Sequence, residues 1–546
     1  MSGPSAIHQI KYLLLNQLFT RFITFSLNLL VARQVGPSLY GYATIQLHLP
    51  YTIVLYLCRE GLRRGGMRYT GKYTLNNHND NTSKQQYETQ NIVNITWLSI
   101  MCCIPLIYIT LQLFHSTPDE LLHCNNVYDI DYTHVIQLYT FSALIELLSE
   151  PMYILAQRNI QVQLRVYIDS ISVTIRCIVI YIMVQYNYGI YSFVCAQLLY
   201  STCITLLYLI NYLRNNSSIR QLIPNRLITT QLSPNHQPNH YIDHELYELC
   251  RNFTVQSVEK LILTEGEKMI LVHYNTNLND HGIYSLVSNI GSLVARFVFQ
   301  PLEESSYSEF SILCNHQNMN YIQASNVLSL LLKFVILVSC TLLCVGPQYS
   351  YLFFDILYGV QWSHTLAPST LNHYFIYIFV ISLNGLTESF VFATISAQQL
   401  IRYNIYLFVF STIYIISCII LVQFGVIGLI LANCINMSCR IVYSALYINS
   451  TVKQHTSTQH TYTMWYNLLP SQPMLVMLMV TYVLTTSSYY YNHIGVDITF
   501  KSHPINCIIH IMIGGLSTVL LLITMYKSDR LYVQQFMNVF RSTKQQ

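Results

Sequence analysis

Long apolar runs recur along almost the whole chain, and they constrain its fold more than any other feature. Of 546 residues, 52% are hydrophobic and only 10% are charged, whereas soluble proteins carry about 25% charged residues. A segment that crosses a bilayer needs about 20 mostly apolar residues, and a helix satisfies its own backbone polar groups in lipid. The sequence therefore predicts an all-α polytopic membrane protein.

About fourteen segments reach the length of a transmembrane helix. They cover residues 9–32, 41–58, 92–114, 134–156, 166–186, 188–212, 252–273, 281–300, 325–345, 371–396, 403–422, 424–447, 473–491 and 504–526. The apolar segment Tyr349–Val360 is too short to span, which favours a re-entrant or interfacial stretch.

A polar loop with three prolines follows the sixth segment and divides the chain. Transporters are commonly built from two helical repeats with a site near the membrane midplane. The predicted domains are an N-terminal six-helix lobe (1–214), a cytosolic linker (215–251), a C-terminal six-helix lobe (252–450), and a terminal two-helix hairpin with a cytosolic tail (451–546).

Basic residues are concentrated in alternate loops, which orients the predicted helices. About 20 lysines and arginines lie in the even-numbered loops and near the termini, and positive charge marks the cytosolic side. They are Lys11, Arg59, Arg63, Arg64, Arg68, Lys72, Lys84, Arg158, Arg165, Arg214, Arg220, Arg226, Arg251, Arg402, Arg440, Lys453, Lys527, Arg530, Arg541 and Lys544. The odd-numbered loops carry only Arg33 and Lys501. Both termini are therefore predicted to face the cytosol.

A cluster of four arginines and one glutamate stands where the second predicted helix leaves the bilayer. This basic cluster consists of Arg59, Glu60, Arg63, Arg64 and Arg68, and it directly follows an apolar run. Charge is costly at membrane depth, so such a cluster usually either fixes topology or binds an anion. We expect this one to do both.

Other charged residues lie inside predicted spans. An intramembrane ion that faces a cavity is a functional-site hypothesis by default. Arg21 and Arg296 lie deep, which favours a functional role. Lys333 and Glu150 are interpreted instead as members of structural ion pairs or as snorkelling groups.

The seventh predicted span carries more charge than a lipid-facing helix tolerates. Its charged residues are Glu259, Lys260, Glu265, Glu267 and Lys268. Lys260 and Glu267 are seven residues apart and share a helix face, and Glu265 can pair with Lys268, three residues away. A water-filled cleft between the lobes requires such a polar helix.

Pro301 closes the eighth predicted span, because proline lacks a backbone donor and kinks or ends a helix. Glu303 and Glu304 are then predicted in a cytosolic-side loop that has no basic residue. Two interpretations stay open for this acidic pair. It locks against the basic cluster when the cytosolic side closes, or it forms a solvated cap.

Motifs for nucleotide or metal chemistry are incomplete. Gly66–Tyr73 approaches a phosphate-binding loop, but a tyrosine replaces the Ser or Thr that holds magnesium, and a membrane span precedes it. The histidines His236, His240 and His244 cannot line one helix face, because Pro238 interrupts them. No catalytic residue, cofactor or metal site is predicted, and a net charge of +4 is too small to indicate binding to nucleic acid.

Several blocks of the sequence resemble the Rft-type family of endoplasmic-reticulum proteins. They are Gln34–Arg68, Leu263–Lys268, Gly282–Arg296, Phe299–Ser305, Leu383–Phe390, Arg402–Asn404 and Gly428–Arg440. That family is similar in architecture to the multidrug/oligosaccharidyl-lipid/polysaccharide exporter superfamily. The resemblance implies two six-helix lobes around a central cavity, with two added helices.

The resemblance also implies a function in the endoplasmic-reticulum membrane. Members move a dolichol-pyrophosphate-linked oligosaccharide from the cytosolic to the lumenal leaflet for protein N-glycosylation, and without a nucleotide site the step would not use nucleotide hydrolysis. The implied partners are this glycolipid, membrane lipid and other proteins of the N-glycosylation pathway.

Pyrophosphate requires cationic donors, and arginine supplies planar, bidentate contacts. The predicted headgroup ligands or gates are Arg21, Arg33, Arg59, Arg63, Arg64, Arg68 and Arg296. The predicted gating or structural partners are Glu60, Lys260, Glu265, Glu267, Lys268, Glu303, Glu304, Glu388 and Arg402.

Three alternatives stay open on the sequence. A non-transporting accessory factor would need the same glycolipid cavity. An ion-coupled small-molecule antiporter of the same fold would need an acidic cavity, which the seventh span favours and the basic cluster opposes. A membrane glycosyltransferase is disfavoured, because the short first lumenal loop, Gln34–Tyr40, has no carboxylate.

Overall fold

The chain is helical almost throughout. The computed structural model describes residues 22–69, 81–114, 132–159, 161–215, 222–225, 241–274, 277–314, 320–455, 462, 464–495 and 499–528, none of which lies in a β-strand. Eight helical stretches among these residues are long and apolar enough to cross a membrane, by length and composition alone. They are Tyr87–Leu113, Gln163–Gln185, Tyr191–Arg214, Leu278–Leu313, Tyr321–Leu357, Ala367–Thr394, Gln398–His455 and Pro504–Ser528. The prediction of an all-helical membrane protein is confirmed.

The packing divides the chain into two compact units, the first extending to Val272 and the second starting at Asn279. The described helices of the first unit are α1 (22–34), α2 (Pro37–Gly41), α3 (His48–Arg68), α4 (Asn81–Leu113), α5 (Tyr132–Leu147), α6 (Glu150–Arg158), α7 (Val162–Gln185), α8 (Tyr191–Asn215) and α9 (His244–Tyr274). Helix α3 packs on α4, α5 and α6, and α8 packs on α5 and α7. This arrangement surrounds α3 with the helices that supply its polar partners.

The second unit is built around three long helices. Its described helices are α10 (Leu278–Val294), α11 (Gln300–Leu313), α12 (Tyr321–Leu357), α13 (Val360–Ser363), α14 (Ala367–Thr394), α15 (Ala397–Leu421), α16 (Gly425–His455), α17 (Gln472–Tyr491) and α18 (Pro504–Ser528). Helix α14 packs between α12 and α16, and α17 and α18 pack on each other and on α12. Helix α14 therefore carries the side chains that meet partners from its neighbours.

The predicted short segment Tyr349–Val360 is not a separate element. Its residues up to Leu357 are the last turns of the 37-residue helix α12. Gly359 then adopts a φ of +89°, a conformation that L side chains rarely adopt, and this turn ends the helix. The re-entrant alternative is therefore wrong, because the preceding turns of helix continue through this segment, and the interfacial alternative stays a prediction.

Two π-helical turns widen long helices beside prolines. Tyr42–Leu47 joins α2 to α3 and precedes Pro50, and Ala295–Phe299 joins α10 to α11 and precedes Pro301. A proline removes a backbone donor and crowds the preceding turn, and a π turn relieves that crowding without breaking the helix.

Helix α11 therefore continues beyond Pro301 to Leu313. The predicted loop at this point is wrong, because Glu303 and Glu304 lie in the first turns of α11. Both carboxylates therefore lie within the continuous helical stretch Leu278–Leu313 and not at a free helix start.

Helices α3 and α9 approach closely at two glycines. A Cβ atom on Gly61 would lie 2.1 Å from Thr254 Oγ1 and 2.7 Å from its Cα, and one on Gly65 would lie 2.3 Å from Cys250 Sγ. The glycines are four residues apart, as are the small residues opposite them. Such paired small residues allow two membrane helices to approach with their backbones nearly in contact.

Gly61→Ala is expected to destabilise the first unit by about 1–3 kcal/mol, because the added methyl forces α3 and α9 apart. Thermal unfolding of the purified full-length protein in detergent would measure the loss. Gly266→Ala on α9 is the matched control, since its Cβ would meet only Ile262 Cγ2 at 3.9 Å. Equal midpoints for the two variants would contradict the close contact.

Part of the predicted linker is fixed to the first unit. Asn94 of α4 donates to the backbone oxygens of Asn225 and Tyr241, at 2.7 and 2.6 Å. The Tyr69 hydroxyl, just after α3, donates to the Asp243 carboxylate. Burial and this hydrogen bond raise the pKa of Tyr69 well above its usual value. The described linker residues are therefore ordered on the polar end of α4.

Candidate functional site

The basic cluster meets carboxylates inside the first unit. Arg59 and Arg63 are one helical turn apart on α3, and Glu146 and Glu150 are four residues apart at the junction of α5 and α6. Arg59 Nη1 donates to Glu146 Oε1 at 2.7 Å. Tyr51, two turns earlier on α3, donates its hydroxyl to the other oxygen of Glu146. The two helices thus pair charges in register.

Arg63 makes the most complete of these pairs. Its Nε donates to Glu150 Oε2 at 2.8 Å and its Nη2 to Glu150 Oε1 at 2.6 Å. The guanidinium also lies 3.7 Å from the centre of the Tyr153 ring. Glu150 is only 1% exposed, so a bidentate partner and an aromatic face together compensate its burial. Glu150 thus forms an ion pair, one of the two alternatives that the sequence analysis gives for it.

The outer end of the cluster is more accessible. Arg64 bonds to Glu60 one turn earlier, with Nη2 and Oε1 2.7 Å apart, and Lys260 of α9 reaches the same oxygen at 3.9 Å. Arg68 is exposed and its guanidinium lies 5.2 Å from the Phe253 ring centre. These contacts connect α3 and α9 by charge beside their close glycine crossing.

Helix α9 partly follows the sequence prediction. Lys268 Nζ lies 2.8 Å from Glu265 Oε2, the pair that the spacing of three predicts. Glu267 is half-buried, and Lys260 is half-exposed and shares Glu60 with Arg64. The charges of this helix are thus partly neutralised by neighbours.

The second unit has its own buried polar cluster, centred on Glu388 of α14. Its Oε1 accepts from Arg440 Nη2 and from the Tyr403 hydroxyl, both at 2.6 Å. Its Oε2 accepts from Asn384 Nδ2 at 3.0 Å. Glu388 is 9% exposed, and three donors from α14, α15 and α16 satisfy its two oxygens.

The remaining predicted site residues are scattered. Glu303 lies against Gly385, where a Cβ would be 1.7 Å from Glu303 Oε1, and Glu304 accepts from Gln300 Nε2 at 2.8 Å. The exposed ones are Arg33, Arg296 and Arg402. Arg21 lies outside the described residues. Within the first unit, the structure thus brings Arg59 and Arg63 together with their acids.

The sequence analysis identified Arg59, Arg63 and Glu388 as site residues but did not identify the residues that pair with them. Arg440 was assigned to a cytosolic loop, whereas it lies in α16 and pairs with Glu388. For Arg59 and Arg63, the matched spacing of four residues in Glu146 and Glu150 was a usable signal. Such a match indicates two helix faces of opposite charge, although it does not say which helices are neighbours.

The site has the chemistry of binding rather than of covalent catalysis. On α3, Arg59, Arg63 and Arg64 each hold a carboxylate, and Tyr51 and Tyr153 contact the two inner pairs. Among the described residues, no group of three or more His, Cys, Asp or Glu side chains is placed to hold a metal ion. His236 and His240 lie outside those residues. The described polar groups suit a ligand with hydrogen-bond acceptors.

Comparison with solved structures identifies the fold. The lipid II flippase MurJ, in an inward closed conformation, matches with a TM-score of 0.61 and 16% sequence identity over 96% of this chain and 99% of that one. An inward-facing transporter of the multidrug resistance MATE family matches with a TM-score of 0.51 and 12% identity over 79% of this chain and 96% of that one. The chain thus falls in the class of all-helical membrane proteins that these two structures represent.

Sequence comparison then identifies the family. The family model described as Rft protein matches residues 5–539. A Xenopus tropicalis protein named Man(5)GlcNAc(2)-PP-dolichol translocation protein RFT1 is 30% identical, over 93% of this chain and 91% of its own length. Proteins of the same name from Mus musculus and Saccharomyces cerevisiae are 32% and 28% identical over 80% of this chain, and over 80% and 81% of their own lengths. This chain belongs to the Rft family.

Proposed function

We propose that this protein translocates a dolichol-pyrophosphate-linked oligosaccharide across the endoplasmic-reticulum membrane for protein N-glycosylation. The observation that carries this proposal is membership of the Rft family along residues 5–539, with relatives named for the translocation of Man(5)GlcNAc(2)-PP-dolichol. The fold that it shares with a lipid II flippase supports the same class of cargo, a sugar joined to a polyprenyl chain through pyrophosphate. The protein is on this proposal a transporter, not an enzyme.

We propose the following architecture for that task. About fourteen transmembrane helices form two six-helix lobes, at 1–214 and 252–450, joined by the linker 215–251 and followed by a hairpin and tail at 451–546. The excess of basic residues in alternate loops supports cytosolic termini. A polar interior would accept the glycan, while the polyprenyl tail stays in lipid.

The basic cluster is proposed to meet the pyrophosphate. Arg59 and Arg63 already hold carboxylates, so a phosphate would have to share or replace those acids. Arg64 and Arg68 are more accessible, and with the exposed Arg33 and the other predicted ligands they would make the first contacts. A phosphate oxygen that shares an arginine with its carboxylate leaves both groups charge-paired, whereas full replacement would leave a buried acid without its partner.

Arg64→Glu is expected to reduce support for N-glycosylation while the protein still accumulates in the membrane. The exposed Arg64–Glu60 pair contributes at most about 1 kcal/mol to folding, so a functional loss would report on ligand contact. The measurement is the lipid-linked oligosaccharide profile of cells whose own protein is depleted and replaced by the variant. Build-up of the last cytosol-facing intermediate is the expected result.

Arg214→Glu is the control for that experiment, because Arg214 is accessible but lies at the end of α8, outside the basic cluster. The orientation of each variant must be checked in parallel, since a reversed charge can invert topology. Full complementation by Arg64→Glu would remove this residue from the headgroup site. An unchanged profile after depletion of the protein itself would contradict the proposed function.

A non-transporting accessory role is the second candidate, because the pairing of the cluster with Glu146 and Glu150 is compatible with binding alone. Reconstitution into vesicles that contain the glycolipid separates the two roles, since only a translocator moves it between leaflets. The antiporter alternative loses support from the same pairing. Glu146, Glu150 and Glu388 each hold an arginine, which leaves these acids satisfied without a coupling cation.

A further inference from the structure

One intramembrane arginine of the first unit differs from the others in its partners. Arg176, in the middle of α7, donates from Nη1 to the side-chain oxygen of Gln197 at 3.3 Å. Across the part of the chain that the structure describes, no carboxylate forms an ion pair with it, whereas Arg59, Arg63 and Arg64 each hold one. Its described contacts are therefore with neutral groups only, and its positive charge is left uncompensated.

Two hydrogen-bond donors at this position are buried without an acceptor. They are Nε of Arg176 and Nε2 of Gln197. Gln197 is 1% exposed, and its oxygen accepts from both Arg176 and the Tyr139 hydroxyl, at 3.3 and 3.5 Å. Because Arg176 Nη1 and the Tyr139 hydroxyl both donate to the amide oxygen, the oxygen must face them. The NH₂ group of Gln197 therefore points away from both donors.

Aromatic side chains line the same part of the unit. The Arg176 guanidinium lies 5.1 Å from the centre of the Tyr200 ring. Tyr139 packs edge to face on Tyr51 with 5.8 Å between ring centres, and its hydroxyl lies 3.3 Å from His48 Nδ1. Such rings lower the local polarity, which strengthens the attraction of an uncompensated guanidinium for an anion.

We infer that Arg176 and Gln197 form an oxyanion site that binds a phosphate group inside the first unit. An unpaired donor buried away from water costs about 1–3 kcal/mol, and a phosphate oxygen would satisfy both donors and the charge at once. The lipid that would carry this phosphate rests on the proposed function. The inference of the site itself rests on the two unsatisfied donors, Arg176 Nε and Gln197 Nε2, and on the absence of a paired acid at Arg176 among the described contacts.

Binding of pyrophosphate compounds to the purified full-length protein in detergent tests the site. The probes are farnesyl pyrophosphate, inorganic pyrophosphate and uncharged farnesol, and the readout is the dissociation constant from thermophoresis. Wild type is expected to bind farnesyl pyrophosphate at least about tenfold more tightly than farnesol, the effect of one or more charge-assisted hydrogen bonds. Arg176→Gln is expected to weaken the binding of farnesyl pyrophosphate by about tenfold while the basic cluster stays intact, and Arg176→Lys is expected to weaken it less.

Arg165→Gln is the matched control, because Arg165 lies on the same helix, is 46% exposed and faces Asp169 at 3.8 Å. Gln197→Glu is a second variant that guards against misfolding. The new carboxylate pairs with Arg176, as Glu146 and Glu150 pair with Arg59 and Arg63. The fold is therefore expected to be kept, while the carboxylate excludes phosphate from the site. Thermal unfolding without ligand checks that each variant is folded.

The outcomes separate the site from the proposed function. Wild-type affinity in both Arg176→Gln and Gln197→Glu would overturn the site, as would a wild type that binds neither pyrophosphate. If inorganic pyrophosphate binds and its binding depends on Arg176, the site is supported and the free anion is a sufficient ligand. If only farnesyl pyrophosphate binds, the site is supported and its ligand is a phosphate carried by a lipid. A lipid-linked oligosaccharide profile unaffected by depletion would contradict the proposed function and leave these binding results standing.

Discussion

Arg63→Glu is expected to remove most of the folded protein from the membrane. Glu150 is almost fully buried, and the substitution deprives it of two charge-assisted hydrogen bonds and places a second carboxylate beside it. Loss of one partner from a buried pair costs about 3–5 kcal/mol, which is a large part of the stability of an ordinary domain. The measurement is the yield of monodisperse protein on size-exclusion chromatography after extraction, together with its thermal midpoint.

Arg64→Glu is the matched control for Arg63→Glu. It is the same substitution one residue later, at a pair whose side chains are 32% and 24% exposed, and it should change stability by less than about 1 kcal/mol. The double variant Arg63→Glu with Glu150→Arg restores opposite charges and should recover part of the yield. Equal yields for the two single variants would show that the buried pair does not stabilise the fold.

Glu388→Ala is expected to destabilise the second unit by a similar amount, about 3–5 kcal/mol, because it leaves Arg440 buried without its acid. Arg440 has an Nε that is already buried without an acceptor, so the loss of the carboxylate adds to an existing deficit of acceptors. Tyr403 and Asn384 lose their acceptor at the same time. Thermal unfolding of the purified variant, followed by tryptophan fluorescence, measures the effect.

Two further variants set the scale for Glu388→Ala. Tyr403→Phe removes a single hydrogen bond and should cost about 0.5–1.5 kcal/mol. Glu304→Ala removes an exposed carboxylate that accepts only from Gln300 among the described contacts, and it should be nearly neutral. A Glu388→Ala variant no less stable than Glu304→Ala would contradict the structural role of the cluster.

The sequence predicted well those features that depend on residues close together in the chain. Apolar runs predicted helices, and the Glu265–Lys268 pair followed from a spacing of three residues on one helix face. Pro301 was recognised as a point of disturbance. Its effect was a π turn and not a helix end, because a local widening restores the backbone hydrogen bonds at less cost than ending the helix.

The candidate site depended on contacts that no local pattern contains. Arg59 and Glu146 are separated by 87 residues, and so are Arg63 and Glu150, while Arg440 and Glu388 are 52 apart. The sequence located most of these charges but could not assign their partners. It gave Arg176 no role, because the absence of an acid beside a residue is visible only after folding.

The sequence by itself determined the all-helical membrane character of this protein and its family. Hydropathy and similarity to relatives depend only on the order of residues along the chain. What only the tertiary structure decided is which charges inside the first unit are balanced and which are not. The physical reason is that an ion pair needs its two groups within about 4 Å, and helix packing alone brings α3 to α5 and α7 to α8.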